Sequence, residues 1–224
     1  MSLNGAGQAG ADYISGKPTL AGSWAMQTAL DRALQQAGAQ QADVAHLDLY
    51  SCFPCAVFSS TAALGIDWAS DKRALTQTGG LPFFGGPGNN YSMHGIAAMV
   101  DTLRANAGDK GLVLANGGWM TKEAVGIYST TRPADFTPAE ATAKPTEQTA
   151  LSHDGGRAML ETFTVAHGKD GPEKGIIFAR ASDGRRLLAN ASPAALTILR
   201  EDASPVGRPV DVTVTENVGT FDFT

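Results

Sequence analysis

The apolar positions of this chain follow one rhythm up to about residue 130 and another beyond about residue 157. Within residues 19–38, Met26, Leu30, Ala33, Leu34 and Ala37 fall on one stripe, which predicts a helix because residues three and four apart share a helix face. Ser23 can cap its start and Gly38 its end. A short strand is predicted over 44–50, and a second helix over 54–64, stopped by Gly65. A third helix opens near Asn89 and Asn90 and runs to about residue 107, with Met93, Ile96, Ala97, Val100 and Leu103 apolar. Strands over 111–115 and 124–129 follow, expected to lie side by side and antiparallel. Residues 1–18 are Gly, Ala and polar without a period and read as a loose arm.

The second rhythm is that of short strands. Runs at 159–166, 175–181, 186–189 and 210–214 are separated by turn residues: Lys169-Asp170-Gly171-Pro172, Ser182-Asp183-Gly184 and Glu216-Asn217. One short helix fits 193–200. Close spacing of this kind predicts a small antiparallel barrel or sandwich. Between the two rhythms, residues 131–156 are rich in Pro, Ala, Thr and Glu and read as a linker or wrapping segment. The expected organisation is an α/β unit over 1–130, the segment 131–156, and a β unit over 157–224.

Composition narrows the function classes. At 224 residues, 43% hydrophobic and 17% charged, the chain can bury a real core and is no disordered tail. A net charge of −5 without a basic run argues against nucleic acid and anionic membranes as partners. No apolar run of the roughly 18 residues needed to span a bilayer occurs. The opening Met1-Ser2-Leu3 is followed by Asn-Gly-Ala-Gly-Gln, not by a basic and then apolar leader, so no signal peptide and a cytoplasmic location are expected. Two cysteines do not make a disulfide scaffold.

Three segments carry candidate chemistry. The first is Ser51-Cys52-Phe53-Pro54-Cys55, at the junction of the predicted strand 44–50 and helix 54–64. A Cys-x-x-Cys there has the form of a thiol oxidoreductase site, in which a helix start lowers the first thiol's pKa. A single functional thiol at Cys52 and plain packing of two small side chains are the other readings. The second is the loop from Thr78-Gly79-Gly80 to Asn90-Tyr91-Ser92-Met93-His94. Its glycines permit close backbone approach, and the free amides of a helix start can receive an anion or a carbonyl oxygen. The alternative is a tight turn with Asn90 as the cap. It is neither a Walker loop nor a dinucleotide fingerprint. His94 is a structural residue or an acid–base group. The third is Ala115-Asn116-Gly117-Gly118, a strand end that either turns or brings backbone to a pocket. No His, Cys, Asp and Glu set has metal-ligand spacing, and no metal or cofactor is expected.

In this order the segments resemble the C-terminal half of the thiolase superfamily. Tyr50-Ser51-Cys52-Phe53 corresponds to the family's strand-end Asn-Glu-Ala-Phe or His-Asp-Cys-Phe, the run from Gly79 to Pro87 to its Gly-His-Pro loop, and Ala115-Asn116-Gly117-Gly118 to its Cys-x-Gly motif. The stretch Gly85-Gly86-Pro87-Gly88-Asn89-Asn90-Tyr91 with His94 is similar to a thiolase-like group often named acetyl-CoA acetyltransferase, some of which add a C-terminal antiparallel β-barrel. The resemblance covers about residues 17–130, and the β-patterned tail fits the addition. It implies acyl transfer, or making and breaking of carbon–carbon bonds, on coenzyme A thioesters in lipid metabolism. It makes acyl-CoA the substrate, with Cys52 as the remaining base candidate and His94 behind it. Gly85, Gly86, Asn89 and Asn90 become one pocket wall, and Asn116, Gly117 and Gly118 the other.

The departures carry equal weight. Gly86 stands where the family has an oxyanion-hole histidine, and Asn116 near where it has an acid/base cysteine. Loss of one oxyanion donor costs roughly 10²–10³ in rate. The acyl-accepting cysteine belongs to the family's N-terminal half. The resemblance therefore implies that this chain lacks that half, is inactive alone, and self-associates through the face the missing half would cover. Two other functions are kept open: a non-catalytic thiolase-like binding or scaffold protein, and a Cys-x-x-Cys oxidoreductase.

Overall fold

A computed structural model describes residues 1–11, 13–137 and 147–224. The chain divides into two compact units, Met1–Ile14 with Thr19–Thr146, and Ser15–Pro18 with Glu147–Thr224. The first contains β1 (Ser2–Gly10), α1 (Trp24–Gln36), β2 (Val44–Asp48), α2 (Pro54–Ala63), α3 (Leu81–Phe84), α4 (Tyr91–Ala105), β3 (Lys110–Gly117) and β4 (Lys122–Ser129). Its sheet has the order β1-β4-β3-β2, with β2 parallel to β3 and the other pairs antiparallel. Successive strand residues face opposite sides. Accordingly Leu112 and Leu114 join Val125, Ile127, Met26 and Leu30 in one core, while Val113 packs with Met99 and Leu103 in another.

The segment read as a loose arm forms β1, paired with β4 along its length. Its positions against α1 are glycines, which removed the alternation a strand normally shows. A Cβ on Gly7 would lie 1.9 Å from the carbonyl oxygen of Ala29, and one on Gly5 2.2 Å from that of Ala33. Backbone therefore meets backbone, with Ala29, Ala33 and Ala37 as the small helix partners.

The helix signals hold. Ser23 accepts from the Met26 amide at 3.2 Å, and Gly38 and Gly65 follow their helices with φ of +55° and +67°. Asn90 makes no side-chain cap; a 3₁₀ turn, Gly88–Asn90, leads into α4 instead. The burial of α4 runs Tyr91, Gly95, Met99 and Leu103, leaving Met93 and Ala97 exposed.

The second unit contains β5 (Gly156–Gly168), β6 (Gly171–Ala181), β7 (Arg186–Ala191), α5 (Pro193–Glu201), β8 (Pro209–Thr215) and β9 (Val218–Phe223), closed as a barrel in the order β5-β6-β7-β9-β8. It is antiparallel except where β9, a strand the pattern missed, runs parallel to β7. Leu160, Ile177, Ala179, Leu187, Val210 and Phe221 fill it, with Ala195 and Leu199 of α5. Of the segment 131–156, residues 138–146 lie outside the described residues. Thr149 donates its amide to the Gly16 carbonyl at 2.9 Å, and Ser152 donates its amide to the Arg186 carbonyl at 2.8 Å. No helix among the described residues is long and apolar enough to cross a membrane.

Candidate functional site

The site lies in the first unit, where chain leaving the ends of β2 and β3 meets the approach to α4. After Asp48 the chain turns from the sheet and Leu49 donates its amide to the Leu75 carbonyl at 2.8 Å. Phe53 precedes α2, and Pro54 occupies its first turn, where a missing N–H costs nothing. Tyr50, Cys52, Phe53, Cys55 and Ala56 thereby reach one cavity of about 550 Å³, whose other walls are Gly88, Asn89 and Ser92, and the run 115–120. Cys52 is half-buried and Cys55 exposed, and neither is in a disulfide. Burial is the main cause that pushes the Cys52 thiol up; the Phe53 backbone amide opposes it, and the neighbouring Cys55 and Glu123 add to it. The dithiol reading requires the opposite shift.

The Gly-rich loop is tied to this point. Gly79 and Gly80 have φ of +83° and +86°, and a Cβ on Gly80 would lie 2.8 Å from Ser51 Oγ. The Leu81 amide donates to that same oxygen at 3.2 Å. Beyond α3 the loop and the start of α4 reach the cavity only at Gly88, Asn89 and Ser92. Gly85, Gly86 and Asn90 are exposed and absent from its lining, as is His94, whose ring packs on Phe84 with centroids 5.1 Å apart. Of the predicted site residues, Cys52, Asn89, Asn116, Gly117 and Gly118 come together and Gly85, Gly86, Asn90 and His94 do not.

The β3–β4 turn is strained. Gly118, Trp119 and Met120 have φ of 56°, 61° and 59°. A side chain in the left-handed region costs roughly 1–2 kcal/mol per residue, and such strain gathers at functional sites. Ser23 Oγ holds the turn by donating to the Met120 carbonyl at 2.8 Å. Trp119 stands 76% exposed on the cavity lining. The other side of the turn borders a second cavity of about 830 Å³, lined by 8–11, Tyr13, 115–118 and 121–124. Asn116 lines both, and its Oδ1 is buried without a hydrogen-bond partner in the structure. Opposite it on β4, Glu123 is 2% exposed. Sequence reasoning missed Glu123 and Trp119. Glu123 continues the inward alternation of Val125 and Ile127, a signal that carries no mark of chemistry. Among the described residues no group of three His, Cys, Asp or Glu side chains could hold a metal ion.

Residues 137–217 match the family model described as the thiolase-like protein type 1 additional C-terminal domain. No curated protein matches the chain. The chain is similar to the crystal structure of a monomeric SCP2-thiolase-like protein type 1 from Mycobacterium smegmatis, at 38% identity and a TM-score of 0.89 over 99% of its own length. It spans half the length of that protein. It also has a weaker similarity to the crystal structure of human mitochondrial 3-ketoacyl-CoA thiolase, at 24% identity and a TM-score of 0.43, covering 58% of this chain and 30% of that one.

Proposed function

We propose that the chain belongs to the thiolase-like proteins and that its Cys52 cavity receives the acyl end of a coenzyme A thioester. The observation that carries the reading is convergence. Segments around residues 50–56, 88–92 and 115–120, far apart in sequence, line one cavity with a single half-buried thiol among its walls. Its lining is mostly apolar with a few polar groups, Asn89, Ser92 and Asn116, which suits an acyl group with a polarised carbonyl. Burial pushes the Cys52 thiol up, against the thiolate that nucleophilic attack needs, which leaves proton exchange with substrate as its proposed role.

We further propose that these 224 residues by themselves bind the thioester without turning it over. No histidine belongs to the cavity lining among the described residues, and Gly86 has no side chain to stand in for one. That observation also favours the second reading, a thiolase-like binding protein. Acyl-CoA is expected to protect Cys52 from alkylation, measured in a Cys55→Ser background, while thiolysis and condensation stay at background. Turnover that Cys52→Ala abolishes would refute the inactivity, and absence of protection would refute the site.

The exposed apolar side chains Phe53, Phe83, Phe84 and Met93 lead us to propose self-association of this span. Burying apolar surface stabilises by about 25 cal/mol per Å², and large bare patches rarely persist on soluble chains. Sedimentation is expected to show a dimer that Ala97→Glu weakens. A monomer at all accessible concentrations would contradict this.

A further inference from the structure

Beneath the cavity, on the α4 side of the sheet, lies a chain of polar groups that the proposed function has not used. Asp48, the last residue of β2, is 1% exposed. Its Oδ1 accepts the Gln77 backbone amide at 2.8 Å. The Gln77 side chain is fixed in turn, donating to the Leu47 carbonyl at 3.0 Å and accepting from the Thr102 hydroxyl at 2.9 Å. Thr78 Oγ1 lies 2.6 Å from the Tyr91 hydroxyl and accepts the Gly80 amide at 3.1 Å.

The Gly80 amide fills one acceptor position of Thr78 Oγ1, and the hydroxyls of Thr78 and Tyr91 share one hydrogen bond. The members are tightly seated. Tyr91 is 1% exposed and meets Tyr50 edge-on at 5.4 Å. A Cβ on Gly95 would lie 2.1 Å from Asp48 Oδ2, so α4 can pass the carboxylate only at a glycine.

Thr78 and Tyr91 connect the two cavity walls. Tyr91 is the first residue of α4, between Asn89 and Ser92 of one wall. Gly80, held by Thr78, leads into Leu81, whose amide is bound to Ser51 beside Cys52. We propose that Tyr91, Thr78 and Gly80 form a positioning relay that sets the Cys52 wall of the cavity against the Asn89 wall, with the Thr78 hydroxyl as its central link. The relay rests on the reading of this cavity as the functional site; it adds residues that touch no ligand and act by fixing those that would.

The test uses the full chain with Cys55→Ser, so that Cys52 alone reacts, and follows alkylation by iodoacetamide without ligand. Thr78→Val keeps the shape and removes the hydroxyl; Tyr91→Phe removes only the phenol hydroxyl; Thr78→Ser restores the hydroxyl without the methyl. Thr78→Val and Tyr91→Phe are each expected to raise the Cys52 alkylation rate severalfold with a folded circular dichroism spectrum, and Thr78→Ser to return it to the parent rate. A parent rate in Thr78→Val or Tyr91→Phe, or an equal rise in Thr78→Ser, would overturn the relay. Should Thr78→Val not fold, the comparison of Tyr91→Phe with the parent decides alone. Because no thioester is added, this outcome is separate from acyl-CoA protection, which tests the function.

Discussion

Replacing Arg186 with alanine is expected to lower the stability of the chain by about 3–5 kcal/mol, the range for breaking a buried ion pair from one side. Arg186 is fully buried, with Nε 2.7 Å from Glu161 Oε2 and Nη2 2.8 Å from Oε1. Nη1 donates to the carbonyls of Ser15 and Lys17 at 2.6 and 2.8 Å, and the guanidinium lies over the Phe178 ring. The residue thus joins three parts of the barrel unit: β5, β7 and the segment Ser15–Pro18. Alanine would leave the Ser15 carbonyl without this donor, the Lys17 carbonyl with the Thr149 hydroxyl at 3.4 Å, and Glu161 with Arg180 alone at 2.6 Å. Arg186→Lys keeps the charge but not the fork and is expected to recover only part of the loss. Unfolding in urea, followed by circular dichroism, measures this. A loss below about 1 kcal/mol would place the pair among surface-like bridges.

The same pair makes a pH prediction. The Arg186 guanidinium is the main cause that holds the Glu161 carboxyl below its usual range, with Arg180 assisting against burial. A carboxyl with a depressed folded-state pKa stabilises above its unfolded-state pKa. That stability fades as pH falls through the folded-state value. The parent should therefore lose stability over this acid interval, and Arg186→Ala should lose less of it, having already forfeited the pair.

Gly7→Ala is expected to cost about 3 kcal/mol, at the upper end of ordinary overpacking. The added methyl meets the backbone oxygen of Ala29 at 1.9 Å, and no rotamer change can clear a backbone atom. Either β1 must lift from α1 or α1 must move from the sheet. Gly10→Ala is the control. It lies in the same strand with nothing nearer than 3.8 Å and no positive φ, so it is expected to fall within about 1 kcal/mol of the parent. Equal stability of the two variants would mean that β1 does not approach α1 as closely as described.

Much of the fold is written by local physics into neighbouring residues. The stripe from Met26 to Ala37 with Ser23 before it, Pro54 opening α2, and the turns 169–172 and 182–184 each encode an element within a few residues of chain. The resemblance of Tyr50–Phe53, the Gly-rich loop and Asn116–Gly118 was legible for the same reason, since order and spacing are properties of the chain. Tertiary structure decided the rest. β1 was invisible because Gly5 and Gly7 serve a helix distant in sequence and leave no apolar alternation. The parallel pairing of β9 with β7 depends on barrel closure, which no local pattern records. The buried face of α4 turned on Gly95 passing Asp48, so Met93 and Ala97 point outward although they are as apolar as the residues within. At the site, Asn89 and Asn116 reach the cavity while Gly86 and His94 do not, and buried Glu123 stands opposite Asn116. Those relations are distances between segments, and they exist only once the sheet has brought the ends of its strands together.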